Sequence, residues 1–206
     1  VKVLKHNSKA GFTLIEMLAV ILILSILMGV LLTSMFSASQ TANEQLTKAR
    51  LMNIDVALGS YEGETGDYPP SSLDDALAGS GAAQNRGIEA MVATIMKLPF
   101  DGLGLSDDML GNVDGDTANG EQLFELLDLW ENPIAYFRRT DYGQTQMYLT
   151  FDTQTGEEVE NTVSARKSAK TGRWANRQSF QLISAGMDGR FGTEDDLGNF
   201  EMPEPE

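Results

Sequence analysis

Between Phe12 and Phe36 the only ionisable side chain is Glu16, and no other stretch restricts the folding of this chain as tightly. The run exceeds the roughly 20 apolar residues that a helix needs to cross a bilayer. In lipid a backbone must satisfy its own hydrogen bonds, so a lone segment can span only as a helix. Lys2, Lys5 and Lys9 precede the run with no acid among them. The positive-inside rule keeps such a start in the cytoplasm and sends the chain beyond Leu32 outward. A secretory signal is disfavoured on two counts. The run is longer than the roughly 7–15 residues of a signal's apolar core, and no small-x-small cleavage site closes it. A plain signal anchor explains the length but leaves Glu16 unexplained, and a carboxylate inside a membrane helix is costly and by default functional.

The residues Lys9-Ala10-Gly11-Phe12-Thr13-Leu14-Ile15-Glu16 resemble the processing site of type IV pilins and type II secretion pseudopilins. The resemblance implies that a prepilin peptidase cuts between Gly11 and Phe12 on the cytoplasmic side and methylates the new amino-terminal Phe12. Such a cut keeps the helix and places a free amine at its start. Glu16 can answer that amine on its own chain or on a neighbour, because opposite charges attract strongly in a low dielectric. A growing filament would then take up subunits that neutralise the last unpaired end.

Charge and composition narrow the rest. The chain carries a net charge of −15, and loss of the three lysines of the leader Val1–Gly11 leaves −18. An acidic surface of that size disfavours nucleic acid and anionic lipid as partners and suits an extracytoplasmic domain or one that binds cations. There is no cysteine, so an exported head must be clamped by something other than disulfides. The single histidine, His6, lies in the leader. A mature chain without Cys or His has no Ser-His-Asp triad, no Cys nucleophile and almost no route to zinc or haem. The sequence therefore points away from an enzyme.

Gly29, Thr33 and Ser34 are the soft places of the membrane helix. Many pilin-like relatives carry a proline near position 33, which this chain lacks. Gly29 is either a weak point, at a cost near 1 kcal/mol against alanine, or a place of close helix packing. Beyond Ser34, Leu51, Ile54, Leu58 and Tyr61 recur at a spacing of three to four among Gln40, Asn43, Glu44, Lys48 and Asp55. That is an amphipathic stripe continuing the helix to about Glu62, half-buried against the domain that follows. Gly63, Gly66 and Pro69-Pro70 end it. The segment from Tyr61 through Tyr68-Pro69-Pro70 resembles the pseudopilin turn from helix into head.

Ser72 and Asp75 can cap a short helix over Leu73–Ala78, and Gly79–Gly87 reads as a loop. Ile88, Met91, Val92, Ile95 and Met96 mark a second short helix with an ordinary core face. Asn112, Asp114 and Asp116 have the alternate spacing of a calcium loop, but Thr117 stands where that pattern wants glycine and Leu123 where it wants glutamate. A solvated turn is the expectation for them. Asp128-Leu-Trp130-Glu-Asn132-Pro133 resembles a second pseudopilin signature, with Asn-Pro making a stiff turn and Trp130 lying over the sheet. Ile134–Arg138, Gln146–Phe151 and Gln178–Ser184 read as strands, with Asp141–Gly143 turning between the first two. The polar stretch Thr153–Asn176, with Arg166, Lys167, Lys170 and Arg173, reads as a solvated loop whose alternative is docking on an acidic neighbour.

The chain closes on Ser184-Ala-Gly-Met-Asp188-Gly-Arg-Phe-Gly-Thr-Glu-Asp195-Asp196-Leu-Gly198-Asn199-Phe200. Hard carboxylate oxygens on a loop bent by Gly189 and Gly192 are what Ca²⁺ requires. The loop resembles the C-terminal calcium site of the major secretion pseudopilin. That resemblance makes Asp188 and Asp196 the firmest ligands, with Asp195 next and the Ala185 carbonyl as a backbone ligand. Ca²⁺ would stand where true pilins often use a disulfide.

The expected fold is α+β: a pilin-like lollipop in which one long helix, half transmembrane, packs on a small antiparallel sheet. The expected divisions are a leader over 1–11, a membrane and filament-core helix over 12–36, its amphipathic half over 37–62, and a periplasmic head over 63–206. The resemblance implies a structural subunit of the type II secretion pseudopilus, held in the inner membrane and assembled into a short periplasmic filament that helps export folded proteins. Its partners would be copies of itself, minor pseudopilins, the prepilin peptidase and the inner-membrane assembly platform. Two other readings are a minor pilin of a type IV pilus or competence filament, and an anchored calcium-dependent module or enzyme that never polymerises.

Overall fold

The computed structural model describes residues 12–72, 84–96, 105–118 and 120–203. The expected leader and the expected helix over Leu73–Ala78 lie outside them. Contacts gather the chain into two units, Val1–Thr41 and Ala42–Glu206. Helix α1 (Leu14–Thr65) runs without a break through Gly29. In the first unit its apolar window has a mean hydropathy of 2.8, is long enough to cross a membrane, and is wholly unburied. Ser25 Oγ donates to the Ile21 carbonyl at 2.7 Å and Ser34 Oγ to that of Val30 at 3.0 Å, so these hydroxyls are satisfied within the helix itself. Gly63 stays helical, and the helix ends on Gly66 at φ 87°, whose N–H reaches the Glu62 carbonyl.

Within the second unit the helical stripe is where its spacing puts it. Thr47, Leu51, Ile54 and Leu58 are buried, and Tyr61 packs against the same core. Thr47 uses its hydroxyl to accept the Leu129 N–H, and Arg50 donates to the carbonyls of Leu127 and Asp128. Helix α2 (Arg86–Ile95) buries Ile88, Met91, Val92 and Ile95, is followed by the exposed Met96, and packs on the strands at Glu125–Leu126, Ala135–Arg138 and Thr145–Phe151.

The strands are β1 (Leu110–Gly111), β2 (Thr117–Ala118), β3 (Glu121–Gln122), β4 (Glu125–Leu126), β5 (Ala135–Arg138), β6 (Thr145–Phe151), β7 (Glu158–Ser164), β8 (Phe180–Ser184) and β9 (Leu197–Gly198). They form antiparallel pairs β1–β4, β2–β3 and β6–β7 and a three-stranded sheet in the order β5-β8-β9. The class is α+β with small antiparallel sheets, as the sequence leads one to expect. One pairing differs from what chain order suggests, and one expectation is corrected. First, β5 and β6 follow one another across the turn at 139–144 but do not pair; β5 lies beside β8 with Tyr136 opposite Leu182. Second, the polar stretch 153–176 is not a loop throughout, because β7 pairs along the whole length of β6. Val159 and Val163 point inward on β7 while Glu158 and Glu160 face out, the alternation of a strand with one wet face.

The basic residues beyond β7 are largely used at home. Arg166 pairs with Asp196 at 3.2 Å, Lys170 meets Glu201, and Lys167 lies 4.7 Å over the Trp174 ring. The Tyr-Pro turn is likewise anchored. Tyr136 Oη donates to the Pro69 carbonyl at 2.7 Å, and Ser71 Oγ accepts the Arg138 N–H.

The Asp-x-Trp-x-Asn-Pro run works as a pair of side chains standing in for backbone partners. Asp128 Oδ1 accepts the N–H groups of Trp130 at 2.8 Å and Asn132 at 3.0 Å, around Glu131 at φ 64°. Asp128 Oδ2 accepts from Ser184 Oγ. Asn132 then imitates a strand, its Oδ1 accepting the Phe151 N–H at 2.7 Å and its Nδ2 donating to the Phe151 carbonyl at 3.0 Å. Asn132 has no solvent exposure, so losing its amide leaves two backbone groups without partners at about 1–3 kcal/mol each. Asn132→Ala is expected to lower the free energy of unfolding in urea by about 2–6 kcal/mol; a loss under about 0.5 kcal/mol, the scale of ordinary surface changes, would contradict this role.

Candidate functional site

Three places gather chemistry. The first is the start of α1. Thr13 and Glu16 form a reciprocal cap: Glu16 Oε2 accepts the Thr13 N–H and the Thr13 hydroxyl, both at 2.8 Å, while Thr13 Oγ1 accepts the Glu16 N–H at 3.3 Å. This is the capping box of a Ser/Thr-x-x-Glu sequence. It was legible in Thr13-Leu-Ile-Glu16 and went unread beside the processing motif. Glu16 is exposed, as is Phe12 at 76%. Glu16 follows Phe12 by four residues, and Gly11 lies outside the described residues.

The second is the closing loop between β8 and β9. Asp195 Oδ2 accepts the N–H groups of Met187 at 2.8 Å and Asp188 at 3.1 Å, and its Oδ1 accepts from Thr193. Asp188 Oδ1 accepts the Arg190 N–H at 2.8 Å. Asp196 Oδ2 accepts the Gly192 N–H at 2.7 Å and Arg166 Nη2 at 3.2 Å, while its buried Oδ1 has no donor. Burial pushes the Asp196 carboxyl up to about 6, against the pull of Gly192 and Arg166, and raises Asp188 as well. Ala185, fully buried, sits at the foot of the loop. Asn199 ties the end down, accepting the Leu182 N–H at 3.0 Å and donating to Asp55 at 2.7 Å. The three aspartates thus shape the loop, each through its neighbours' N–H groups.

The third was not expected. Carboxylate oxygens of Glu89, Asp114 and Asp116 lie within 4.8 Å of one another. Asp116 is only 7% exposed and Glu89 not at all, so the turn around Asn112, half-buried with Gly115 and Thr117 exposed, is solvated only in part. Asn112 Nδ2 bonds the Asp116 carbonyl, Asp114 Oδ1 accepts the Asp116 N–H, and Gly115 at φ 71° supplies the bend. Next to them Glu125 is buried and fully engaged, accepting from Asn85 Nδ2 at 2.9 Å and the Val113 N–H at 3.1 Å. Burial, then repulsion from Asp116 and Asp114, pushes Glu89 up to about 9; burial pushes Glu125 up to about 7. The signal that could have found Glu89 is an acid standing between Ile88 and Met91 on an otherwise apolar helix face.

The closing loop depends on a backbone that only glycine takes without strain. Gly186 has φ 65°, and a Cβ there would stand 2.5 Å from the Asp195 carbonyl oxygen. Gly186→Ala is expected to destabilise the fold by about 1–3 kcal/mol, read as a lowered thermal midpoint. Gly143→Ala, where a Cβ meets nothing within 4 Å, is expected to leave the midpoint where it was. Equal midpoints for the two variants would contradict the assignment.

Residues 6–32 match the prokaryotic N-terminal methylation motif, the type IV pilin-like prepilin signal. No curated protein and no solved structure matches the chain. The motif points to a structural subunit rather than an enzyme, to processing by a prepilin peptidase, and, with the apolar helix behind it, to anchoring in a membrane.

Proposed function

We propose that this chain is a structural subunit of the type II secretion pseudopilus. Its apolar helix anchors it in the inner membrane with the head on the periplasmic side, until it is drawn into a short filament that helps export folded proteins. The observation that carries this reading is the placement of Glu16 four residues after Phe12, at the head of a helix whose described apolar side chains from Leu14 to Met35 are exposed. Cleavage between Gly11 and Phe12 gives that carboxylate a cationic amine to meet, and the uncovered side chains give neighbouring stems a surface to bury. At about 25 cal/mol per Å² of apolar surface covered, stem packing dominates the assembly while the single charge pair fixes register. Leu46, Met52 and Val56, also exposed on α1, extend that surface past the span. The expected partners are copies of the chain, minor pseudopilins and the inner-membrane assembly platform.

Calcium at the closing loop belongs to the same reading. The donors fit in part: Asp196 Oδ1 is buried without a partner, and Asp188 spends only Oδ1 on the loop. Asp195, with both oxygens engaged, is the weaker ligand, and the Ala185 carbonyl would supply a backbone oxygen. Bound there, Ca²⁺ would neutralise an acidic loop in a chain without disulfides.

A minor pilin of a type IV pilus or competence filament would carry the same processing motif. Deletion separates the two, through loss of secretion in one case and of twitching or transformation in the other. The assembly claim itself is tested by Glu16→Gln, since glutamine also completes a capping box but carries no charge. The variant is expected to keep its helical content and membrane insertion and to lose filament assembly and secretion. Assembly at the wild-type level would overturn the role given to the charge.

A further inference from the structure

Buried side-chain oxygens without a donor are concentrated in one spot of the head. Among the described residues they are both oxygens of Glu89, Asn112 Oδ1, Asp114 Oδ2, both oxygens of Asp116, and, elsewhere, Asp196 Oδ1. Six of these seven belong to Glu89 on α2 and to Asn112, Asp114 and Asp116 of the turn that follows β1, and one carboxylate oxygen from each of the three acids lies within 4.8 Å of the other two. The fold does not neglect acids in general. Glu125, beside the cluster, has both oxygens hydrogen-bonded, and Asp128 has three donors. A group of acceptors left unanswered where its neighbours are answered marks a missing cationic partner. Arg86, at the start of α2, acts on Asp116 electrostatically, but one guanidinium stands against four carboxylates. A proton held on Glu89 and shared with Asp116 settles one contact and leaves the other oxygens as they were.

We propose that Glu89 of α2, with Asn112, Asp114 and Asp116 of the turn between β1 and β2, forms a binding site for a divalent cation, Ca²⁺ the best match, that clamps segment 105–126 onto α2. The donor set is all oxygen, three carboxylates and one amide carbonyl, which suits a hard cation. Irregular donors drawn from two segments suit Ca²⁺, with its six to eight ligands and tolerant geometry, better than the octahedral Mg²⁺. The alternate spacing of Asn112, Asp114 and Asp116 is that of a calcium loop, yet Leu123 occupies the place of its closing glutamate and is buried. The missing acid arrives from α2 instead, as Glu89. Asn85, at the start of α2 with φ 59°, holds Glu125 on one side and the Leu149 N–H on the other, so the ground beneath the site is fixed on β4 and β6. The segment so clamped is tied to the core by Leu105, Met109 and Leu126, while the turn between carries little regular structure. Its strands β1, β2 and β3 are two residues each, too short to stand without packing. This site is separate from the closing loop and does not depend on the filament reading.

The test uses the full chain in detergent, stripped with EDTA and titrated calorimetrically with CaCl₂. Wild-type protein is expected to bind Ca²⁺ with a raised thermal midpoint. Glu89→Gln with Asp116→Asn is expected to lose one equivalent of Ca²⁺, or at least tenfold in its affinity, and to stay folded without the ion, because the amides remove the repulsion. Asp188→Asn with Asp196→Asn is expected to keep that equivalent, whatever becomes of the closing loop. Hydrogen exchange on the wild-type chain locates the ion independently of any variant: CaCl₂ should slow exchange over 110–118 and α2. Unchanged stoichiometry and affinity in the Glu89/Asp116 variant, or no slowing over 110–118, would overturn the proposal.

Discussion

A membrane helix with one carboxylate near its start has a debt of charge that it cannot settle with apolar neighbours. In this chain Glu16 settles it locally, by bonding the Thr13 N–H and hydroxyl. That arrangement satisfies the first turn of the helix and leaves the negative charge itself unopposed. In the proposed reading, removal of the residues before Phe12 would supply the opposing charge four residues away. The cap and the proposed pairing are then compatible roles for Glu16. The described apolar side chains from Leu14 to Met35 are exposed, a surface that lipid or neighbouring stems would cover in that reading.

The second unit answers a different constraint, folding without a cysteine. Its joints are made by polar side chains that replace backbone partners. Asn132 pairs with Phe151 as a strand would, Asp128 gathers Trp130, Asn132 and Ser184, and Asn199 joins β8 to α1. Asn161 bonds the Gly189 carbonyl and accepts the Phe191 N–H, fastening β7 to the closing loop. Each such bond contributes modestly, about 0.5–1.5 kcal/mol net, but each leaves buried groups stranded if broken. At the closing loop and around Glu89, among the described residues, buried oxygens remain without a donor, all but that of Asn112 from acids, and both proposed cation sites rest on them.

Much of this was readable from residues in a row. The stripe Leu51, Ile54, Leu58 and the apolar helix before it follow from helical spacing, and the strands Ala135–Arg138 and Phe180–Ser184 fall within the stretches Ile134–Arg138 and Gln178–Ser184 that read as strands. The strand Glu158–Ser164 was missed because only Val159 and Val163 of its seven residues are apolar and buried, too thin an alternation to stand out. Pairing was missed because it is not local: β5 turns toward β6 in sequence and joins β8 in space. The Glu89 site was half legible. The spacing of Asn112, Asp114 and Asp116 was visible, but the buried acid that completes the group sits on a helix that composition marks as plain core. The closing-loop aspartates were visible as acids and glycines, whereas their use as acceptors for Met187, Asp188 and Gly192 N–H groups depends on the bent backbone.

The central claim is that a newly made amine at Phe12 meets the Glu16 carboxylate inside an apolar assembly. The most direct measurement is the intact mass and amino-terminal sequence of the protein recovered from assembled filaments. The account predicts a chain that begins at Phe12 and is heavier by one methyl group. Assemblies built from chains that still carry Val1–Gly11 would contradict it.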